Sequence, residues 1–264
     1  MKNIKTTAYF NPYEIKVIAR LSYEKAAIVT RSQLNQWLHF SPKIMSKTIF
    51  RLISKKVLRK INRETYFYSP IESGPYGVNI NEFLIPPVLF PKGNYYLGYS
   101  MMYNYYGFLD QIPQTMHILN TTVQRQKYIG NMLYKLLRVP SSRIYGVEEI
   151  NIKGQKVIVS DKERTLVDMI YFPDPVGGLK NAFDILKKQL GTIDVKKLVK
   201  YAAGFPNTST RKRIGYVLES AGVSEKTLHP LRKSINRYSL ATLYYSENRK
   251  GSINKQWGLI VNAA

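Results

Sequence analysis

Lys43, Ser46, Lys47, Arg51 and Lys55 recur at intervals of three and four residues, the spacing that brings side chains onto one face of a helix. Cations with a hydroxyl among them can donate to phosphate oxygens and to base edges, so the chemistry they suggest is contact with double-stranded DNA. Lys60 and Arg63 follow closely and could add phosphate contacts. For all of these the plain alternative is a solvated surface. A second set, Lys196, Lys197, Lys200, Arg211, Lys212 and Arg213, is the densest basic cluster in the rest of the chain. It reads equally as a secondary basic patch for DNA or an acidic partner and as a solvated face.

The carboxylates ask a different question. Glu149, with Lys153 beyond it, and then Asp161, Glu163 and Asp168 raise metal-dependent nuclease chemistry, which needs carboxylates converging on one cation. Ser160 three residues before Glu163 has the form of a capping box, and Asp161 suits the positive end of a helix dipole, so structural roles are expected for both acids. The tyrosine run Tyr95, Tyr96, Tyr99, Tyr103, Tyr105 and Tyr106 could stack bases, but such runs more often fill a core. There is no cysteine, and His39, His117 and His229 lack the spacing of a metal site. Phosphate-binding loops, dinucleotide fingerprints and nucleophile elbows are missing. The chain is therefore not read as an enzyme, and no catalytic residue, metal or cofactor is expected.

These side chains need elements to hold them. Residues 12 to about 26 read as a helix with Ile15, Ile18 and Ala19 inward. Thr30 has the form of an N-cap for a short helix over 31–38, packing Leu34, Trp37 and Leu38. His39-Phe40 turns the chain, and Ser41-Pro42 is a start signal for a third helix reaching about residue 55. Met45, Ile49, Leu52 and Ile53 would face inward, leaving the basic stripe outward. Short alternating runs at 57–61 and 65–68 then predict a hairpin with a polar tip. Helix, helix, turn, helix, hairpin is the order of a winged helix-turn-helix, whose third helix lies in the major groove.

Residues 69–92, rich in proline and centred on Pro86-Pro87, read as a linker and the first turns of a second domain. The boundaries expected are 1–85 for the DNA-binding domain with linker and 86–264 for the larger one. Strands are expected at 95–99, 115–121, 144–152, 156–159, 241–245 and 257–261, with a turn at Lys153-Gly154-Gln155. The segment 133–139 fits a strand, though its period leaves a helix open. Helices are expected at 100–106, from 161 to about 170, and at 179–190, 195–203 and 208–221. The fold class is thus α+β, a winged helix-turn-helix followed by a larger mixed α/β domain.

Composition agrees with this division. Forty Lys and Arg against 17 Asp and Glu leave a net charge of +23, which calls for a polyanionic partner. Residues 1–85 carry 14 basic and 5 acidic residues and 86–264 carry 26 and 12, so charge is denser at the front. No basic amphipathic helix, lipidation motif, signal peptide or membrane span is evident, and a cytoplasmic protein without membrane contact is expected.

Four stretches resemble, in order, the AbiEi family of antitoxins from type IV toxin–antitoxin, or abortive infection, systems. YYLGYSMMYNYYGFLDQIPQTMHILNT (95–121) is similar to its aromatic helix, glycine and QIP-like turn into a strand. VIVSDKERTLVDMIYFPDPVGGL (157–179) resembles its acid-capped helix with a T-L-x-D core, followed by a proline and a double glycine. TRKRIGYVLESAG (210–222) and KQWGLIVN (255–262) resemble its R-x-G-Y-L-L-E helix and terminal tryptophan strand. The sequence departs from the family where Glu24-Lys25-Ala26-Ala27 replace glycine-rich residues and where Tyr106 replaces a common histidine. The resemblance implies a transcriptional autorepressor whose winged helix binds inverted repeats in its own promoter. It also implies that the second domain counteracts a nucleotidyltransferase-like toxin, without a stable complex, in phage defence. The alternative is a stand-alone winged-helix regulator with a ligand-sensing C-terminal domain.

Overall fold

The structure, a computed structural model, describes residues 9–69, 81–152, 154–245 and 249–262. Residues 70–80 of the expected linker segment and Lys153 of the expected turn lie outside the described residues. Contacts divide the chain into two units, Met1–Pro91 with Tyr128–Met132, and Lys92–Lys127 with Leu133–Ala264.

The first unit contains α1 (Pro12–Tyr23), β1 (Ile28–Thr30), α2 (Arg31–Leu38), α3 (Pro42–Ser54), β2 (Leu58–Lys60), β3 (Thr65–Tyr68) and a short α4 (Ile85–Leu89). Local chemistry sets each helix start. Asn11 and Glu14 form a reciprocal capping box at α1, Thr30 and Gln33 form another at α2, and the Ser41 side chain caps α3 ahead of Pro42. The strands pair antiparallel in the order β1-β3-β2, completing a winged helix-turn-helix arrangement. Val17, Leu21, Leu34, Met45, Ile49 and Leu52 form its core with residues of the strands.

Two details of α1 differ from the sequence reading. The helix stops at Tyr23, because Lys25 turns to φ +50° and the Ala26 N–H returns to the Leu21 carbonyl at 3.1 Å. A lysine in this left-handed conformation costs about 1 kcal/mol relative to glycine. The inward face is also rotated. Glu14, Val17 and Leu21 are buried, whereas Ile15 is exposed.

The second unit is built on a mixed sheet. Its strands are β4 (Tyr95–Gly98), β5 (Thr115–Asn120), β6 (Arg125–Ile129), β7 (Met132–Arg138), β8 (Val147–Ile152) and β9 (Gln155–Ser160), of which Tyr128 and Ile129 of β6 and Met132 of β7 are grouped with the first unit. The sheet order is β6-β7-β5-β4-β9-β8. β7 runs parallel to β5 over six residue pairs, which resolves 133–139 as a strand. Helices α5 (Ser100–Tyr105), α6 (Lys162–Tyr171), α7 (Leu179–Gln189), α8 (Val195–Ala203), α9 (Thr208–Ser220) and α10 (Glu225–Lys233) accompany it. A small sheet of β10 (Ala241–Thr242), β11 (Ser252–Asn254) and β12 (Leu259–Val261) follows, in the order β10-β12-β11. The sequence reading lacked β1, α4, β6, β11 and α10.

At the start of α6 the expected capping box does not form. Asp161 is the N-cap, accepting from the Arg164 N–H at 2.8 Å. The Ser160 hydroxyl instead pairs with Thr165, and Glu163 reaches the Asp194 N–H and Lys197. α6 is buried over 163–170, charges included. Arg164 is satisfied there by Asp168 at 3.2 Å, by the Tyr96 hydroxyl at 2.9 Å and by the carbonyls of Arg143 and Tyr145.

The C-terminal segment is fastened to α9. Gly215 is where the Trp257 ring meets the helix; a β-carbon there would lie 2.1 Å from the ring. Trp257 Nε1 donates to Glu219 one turn further on, at 2.9 Å. Gly215→Ala is therefore expected to lower stability by about 1–3 kcal/mol through overpacking. A smaller residue at 257 makes room for the methyl, so Gly215→Ala/Trp257→Leu should cost less than the two single losses combined, measured by urea unfolding. Purely additive losses would show that the ring and the glycine are not coupled.

His117 supplies a pH-dependent contribution. It is buried between Tyr99 and Phe172, and desolvation, with Lys135 as a lesser cause, pushes its imidazole down to about 4. The unfolded chain therefore takes up a proton that the folded chain refuses between about pH 6.5 and 4. Stability should fall by roughly 3 kcal/mol as pH drops through that window. Comparing His117→Gln with the unaltered protein across it should show a shallower loss in the variant.

Candidate nucleic-acid interface

α3 buries Met45, Thr48, Ile49 and Leu52, so its opposite face is open. Lys43, Ser46, Lys47, Phe50 and Arg51 lie exposed along that face. Among the described residues no hydrogen bond or ion pair engages the side chains of Lys43, Lys47 or Arg51. Ser46 Oγ accepts from Arg31 Nη2 at 2.6 Å and donates to the Pro42 carbonyl at 2.8 Å, which ties the first residue of α2 to α3. Phe50 is 71% exposed within this basic stripe. A ring there offers an apolar contact of the kind made with a thymine methyl.

Sequence reasoning missed Arg31 and Phe50. Phe50 carries a legible signal, since it lies three residues after Lys47 and four after Ser46 on the polar face. Arg31 carries none, because it joins the stripe from another helix.

Lys55 belongs to a different arrangement. Its Nζ donates to Glu14 Oε2 at 2.7 Å and to the Tyr9 carbonyl at 2.7 Å, and lies 4.7 Å from the centre of the Phe10 ring. Glu14 is fully buried. Burial acts to raise its carboxyl, but Lys55 and the Asn11 N–H outweigh that and leave it below the usual carboxylate value. Lys55 thus fastens α3 to α1.

The hairpin presents the other two cations. Asn62 Oδ1 accepts from the N–H groups of Glu64 at 3.0 Å and Thr65 at 2.9 Å, which folds the tip on itself. Lys60 is exposed at the end of β2. Arg63, with a side chain 94% exposed, approaches Glu64 at 3.8 Å. An ion pair so exposed contributes little and leaves the guanidinium available.

The second set of cations does not come together. Lys196 and Lys200 are exposed one turn apart on α8, whereas Lys197 is held by Asp161 at 3.1 Å and Glu163 at 2.8 Å. Arg211 donates to the carbonyls of Ser234 and Pro206. Lys212, 1% exposed, donates to those of Ser239 and Gly258. Arg213, 4% exposed, donates to those of Thr242 and Leu243. The consecutive cations of α9 are internal clamps, with main-chain oxygens rather than carboxylates as acceptors. A surface patch of all six is excluded by this burial.

The carboxylates are likewise dispersed. Glu149 is exposed and paired with Lys156 at 2.9 Å, Asp161 caps α6, and Asp168 is buried against Arg164. Burial holds the Asp168 carboxyl above its ordinary value, against the pull of Arg164 and Arg143. Among the described residues no group of three or more His, Asp or Glu is placed to hold a metal ion. Of the tyrosine run, Tyr95, Tyr96, Tyr99 and Tyr103 are core residues. Tyr106 donates to Glu148 at 2.7 Å and to the Ser160 carbonyl at 3.0 Å.

Residues 100–220 match the family model of the AbiEi antitoxin C-terminal domain. The fold is similar to that of the RV2827C protein from Mycobacterium tuberculosis, with a TM-score of 0.68 and 14% identity over 95% of this chain and 92% of that one. At this identity the likeness concerns the fold. No curated protein matches the sequence significantly.

The separation of Lys55 from the open stripe can be measured. Lys55→Met strands a buried carboxylate and should destabilise the protein by about 2–3 kcal/mol. Pairing it with Glu14→Leu should restore most of that loss in a denaturant titration. A Lys55→Met protein with unchanged stability would place the residue back on the solvated face.

Proposed function

With residues 100–220 identified as an AbiEi antitoxin C-terminal domain, we propose that this AbiEi-type antitoxin is also a DNA-binding autorepressor. It binds inverted repeats in its own promoter and counteracts a nucleotidyltransferase-like toxin without a stable complex, as in type IV abortive infection systems. The observation that carries the DNA reading is the open face of α3. Among the described residues no hydrogen bond or ion pair engages the side chains of Lys43, Lys47 and Arg51 there, beside an exposed Phe50 and followed by Lys60 and Arg63 on the hairpin.

On this reading α3 enters the major groove, where Arg51 and Lys47 donate to base edges or phosphates and Phe50 meets thymine methyl groups. Arg31 holds Ser46 in place at the start of that helix. Lys60 and Arg63 contact the flanking phosphates. They give affinity and register without reading sequence. The second unit supplies the antitoxin activity, so the two functions separate by position. No helix among the described residues is long and apolar enough to cross a membrane, and the functional partners are DNA and the toxin.

Binding to the upstream DNA should be sequence-selective and steeply salt-dependent. Lys47→Ala and Arg51→Ala should each weaken it about tenfold, while Lys60→Ala should lower the salt slope by about one without changing sequence preference. Phe50→Ala should relax preference at thymine positions. Electrophoretic and anisotropy titrations against a random duplex measure these effects, and toxin co-expression measures protection. A folded Lys47→Ala/Arg51→Ala protein that loses both DNA binding and protection would refute the division of labour. Equal affinity of the unaltered protein for both duplexes would refute the autorepressor.

A further inference from the structure

The clamps of α9 have a consequence on the far side of the segment they hold. Between α10 and β10 the chain runs through Asn236, Arg237, Tyr238 and Ser239, and Tyr238 stands 83% exposed. An exposed aromatic ring usually sits on a loose loop; this one sits on a braced one. Arg211 binds the Ser234 carbonyl and the buried Lys212 binds the Ser239 carbonyl. The Tyr238 N–H is held by Asn236 Oδ1 at 3.0 Å. From β12's side, Gly258 (φ +62°) approaches the Arg237 carbonyl so closely that a β-carbon would lie 2.3 Å from it. Both ends of the turn and its middle are therefore fixed, and the ring projects from a rigid base.

Tyr238 forms a ridge between two grooves that share it and Arg237. One, of about 430 Å³, is lined by Arg237, Tyr238, Leu240, Ile253 and Lys255. The other, of about 370 Å³, includes Lys233, Ile235, Arg237 and Tyr238. Neither lining contains a carboxylate. Lys233, Arg237 and Lys255 are exposed, and no hydrogen bond or ion pair among the described residues engages their side chains. Arg232, which also lines the second groove, is neutralised by Glu219 and Glu225. Arg237 lies 5.5 Å from the Tyr238 ring centre, a cation–π contact that steadies both.

We propose that this ridge and its two grooves bind single-stranded nucleic acid. Each groove is of a size that suits a small-molecule unit such as one nucleotide. An exposed ring between them offers a stacking face, while flanking cations without counter-charges track a phosphate backbone. Duplex DNA does not fit this chemistry, since its bases are already stacked and present no face to a tyrosine. An acidic peptide would use the cations but not the ring. The site lies within the second unit and does not depend on the reading of α3.

Fluorescence anisotropy can test this with labelled single strands of about ten nucleotides, one RNA and one DNA. The protein is the full chain carrying Lys47→Ala/Arg51→Ala, so that the α3 face is silenced. Binding should be salt-dependent. Tyr238→Ala should weaken it about tenfold and Tyr238→Phe should preserve it, as stacking requires. Arg237→Gln and Lys255→Gln should weaken it and flatten the salt dependence. The RNA and DNA arms identify which strand is favoured, and either preference fits the site. Thermal unfolding of Tyr238→Ala should match the parent, since the ring is exposed. Absence of binding, or unchanged binding by Tyr238→Ala, overturns the proposal. So does displacement of the strand by unlabelled duplex or by polyglutamate as efficiently as by unlabelled single strand.

Discussion

Scarcity of carboxylates is the constraint on which this structure is organised. With forty Lys and Arg but only 17 Asp and Glu, most cations cannot have an acidic partner, and any cation taken inside must find another acceptor. Several acids with well-placed cations sit where elements join, and one lies inside a buried helix. Glu14 fastens α1 to α3 through Lys55, Asp168 lies with Arg164 in the centre of α6, and Asp161 and Glu163 share Lys197 of α8. Removing one member of such a pair costs more than the pair contributes, because the other is left charged and poorly solvated. These junctions are therefore sensitive points of the fold without being sites of chemistry.

Where acids run out, main-chain oxygens take over. Arg211, Lys212 and Arg213 reach five residues of the 234–258 segment through its carbonyls. Carbonyls at turns and strand ends have spare lone pairs, so a guanidinium or ammonium satisfies groups that would otherwise need water. The same helix receives Trp257 at Gly215 and binds its indole N–H at Glu219. The helix motif and the terminal tryptophan motif, with Glu219 and Trp257 38 residues apart in the chain, are thus two halves of one contact. Neither half has a purpose alone, which gives a physical reason for their appearing in order.

Much of this was legible, and the failures share a cause. Thr30, Ser41-Pro42 and the stripe on α3 were readable because caps and helix faces are local. The face of α1 was misplaced because Glu14, a residue type assumed to be outside, occupies an inward position with Lys55 as partner. The Ser160 box was misread for a similar reason, since Asp161 competes for the cap and Glu163 finds a distant partner in α8. α10 was missed because Pro230 interrupts its pattern, and β1 because three residues show no period. The grouping of Lys196, Lys197, Lys200, Arg211, Lys212 and Arg213 rested on proximity along the chain, which says nothing about direction. Periodicity reports burial well when polarity and burial agree, and buried ions are where they part.

Positive charge alone therefore does not mark a nucleic-acid surface in this chain. The useful distinction is whether a cation has an internal acceptor. Of the cations singled out in the sequence, that criterion withdraws Lys55, Lys197, Arg211, Lys212 and Arg213 and keeps Lys43, Lys47, Arg51, Lys60 and Arg63 in the first unit. In the second, Lys196 and Lys200 stand exposed one turn apart on a helix face. Lys233, Arg237 and Lys255 surround a braced tyrosine and shaped grooves. A cation that is free to bind a ligand is one that the fold has not already used. In a protein so short of acids, the withdrawn cations define the remaining ones more sharply than net charge does.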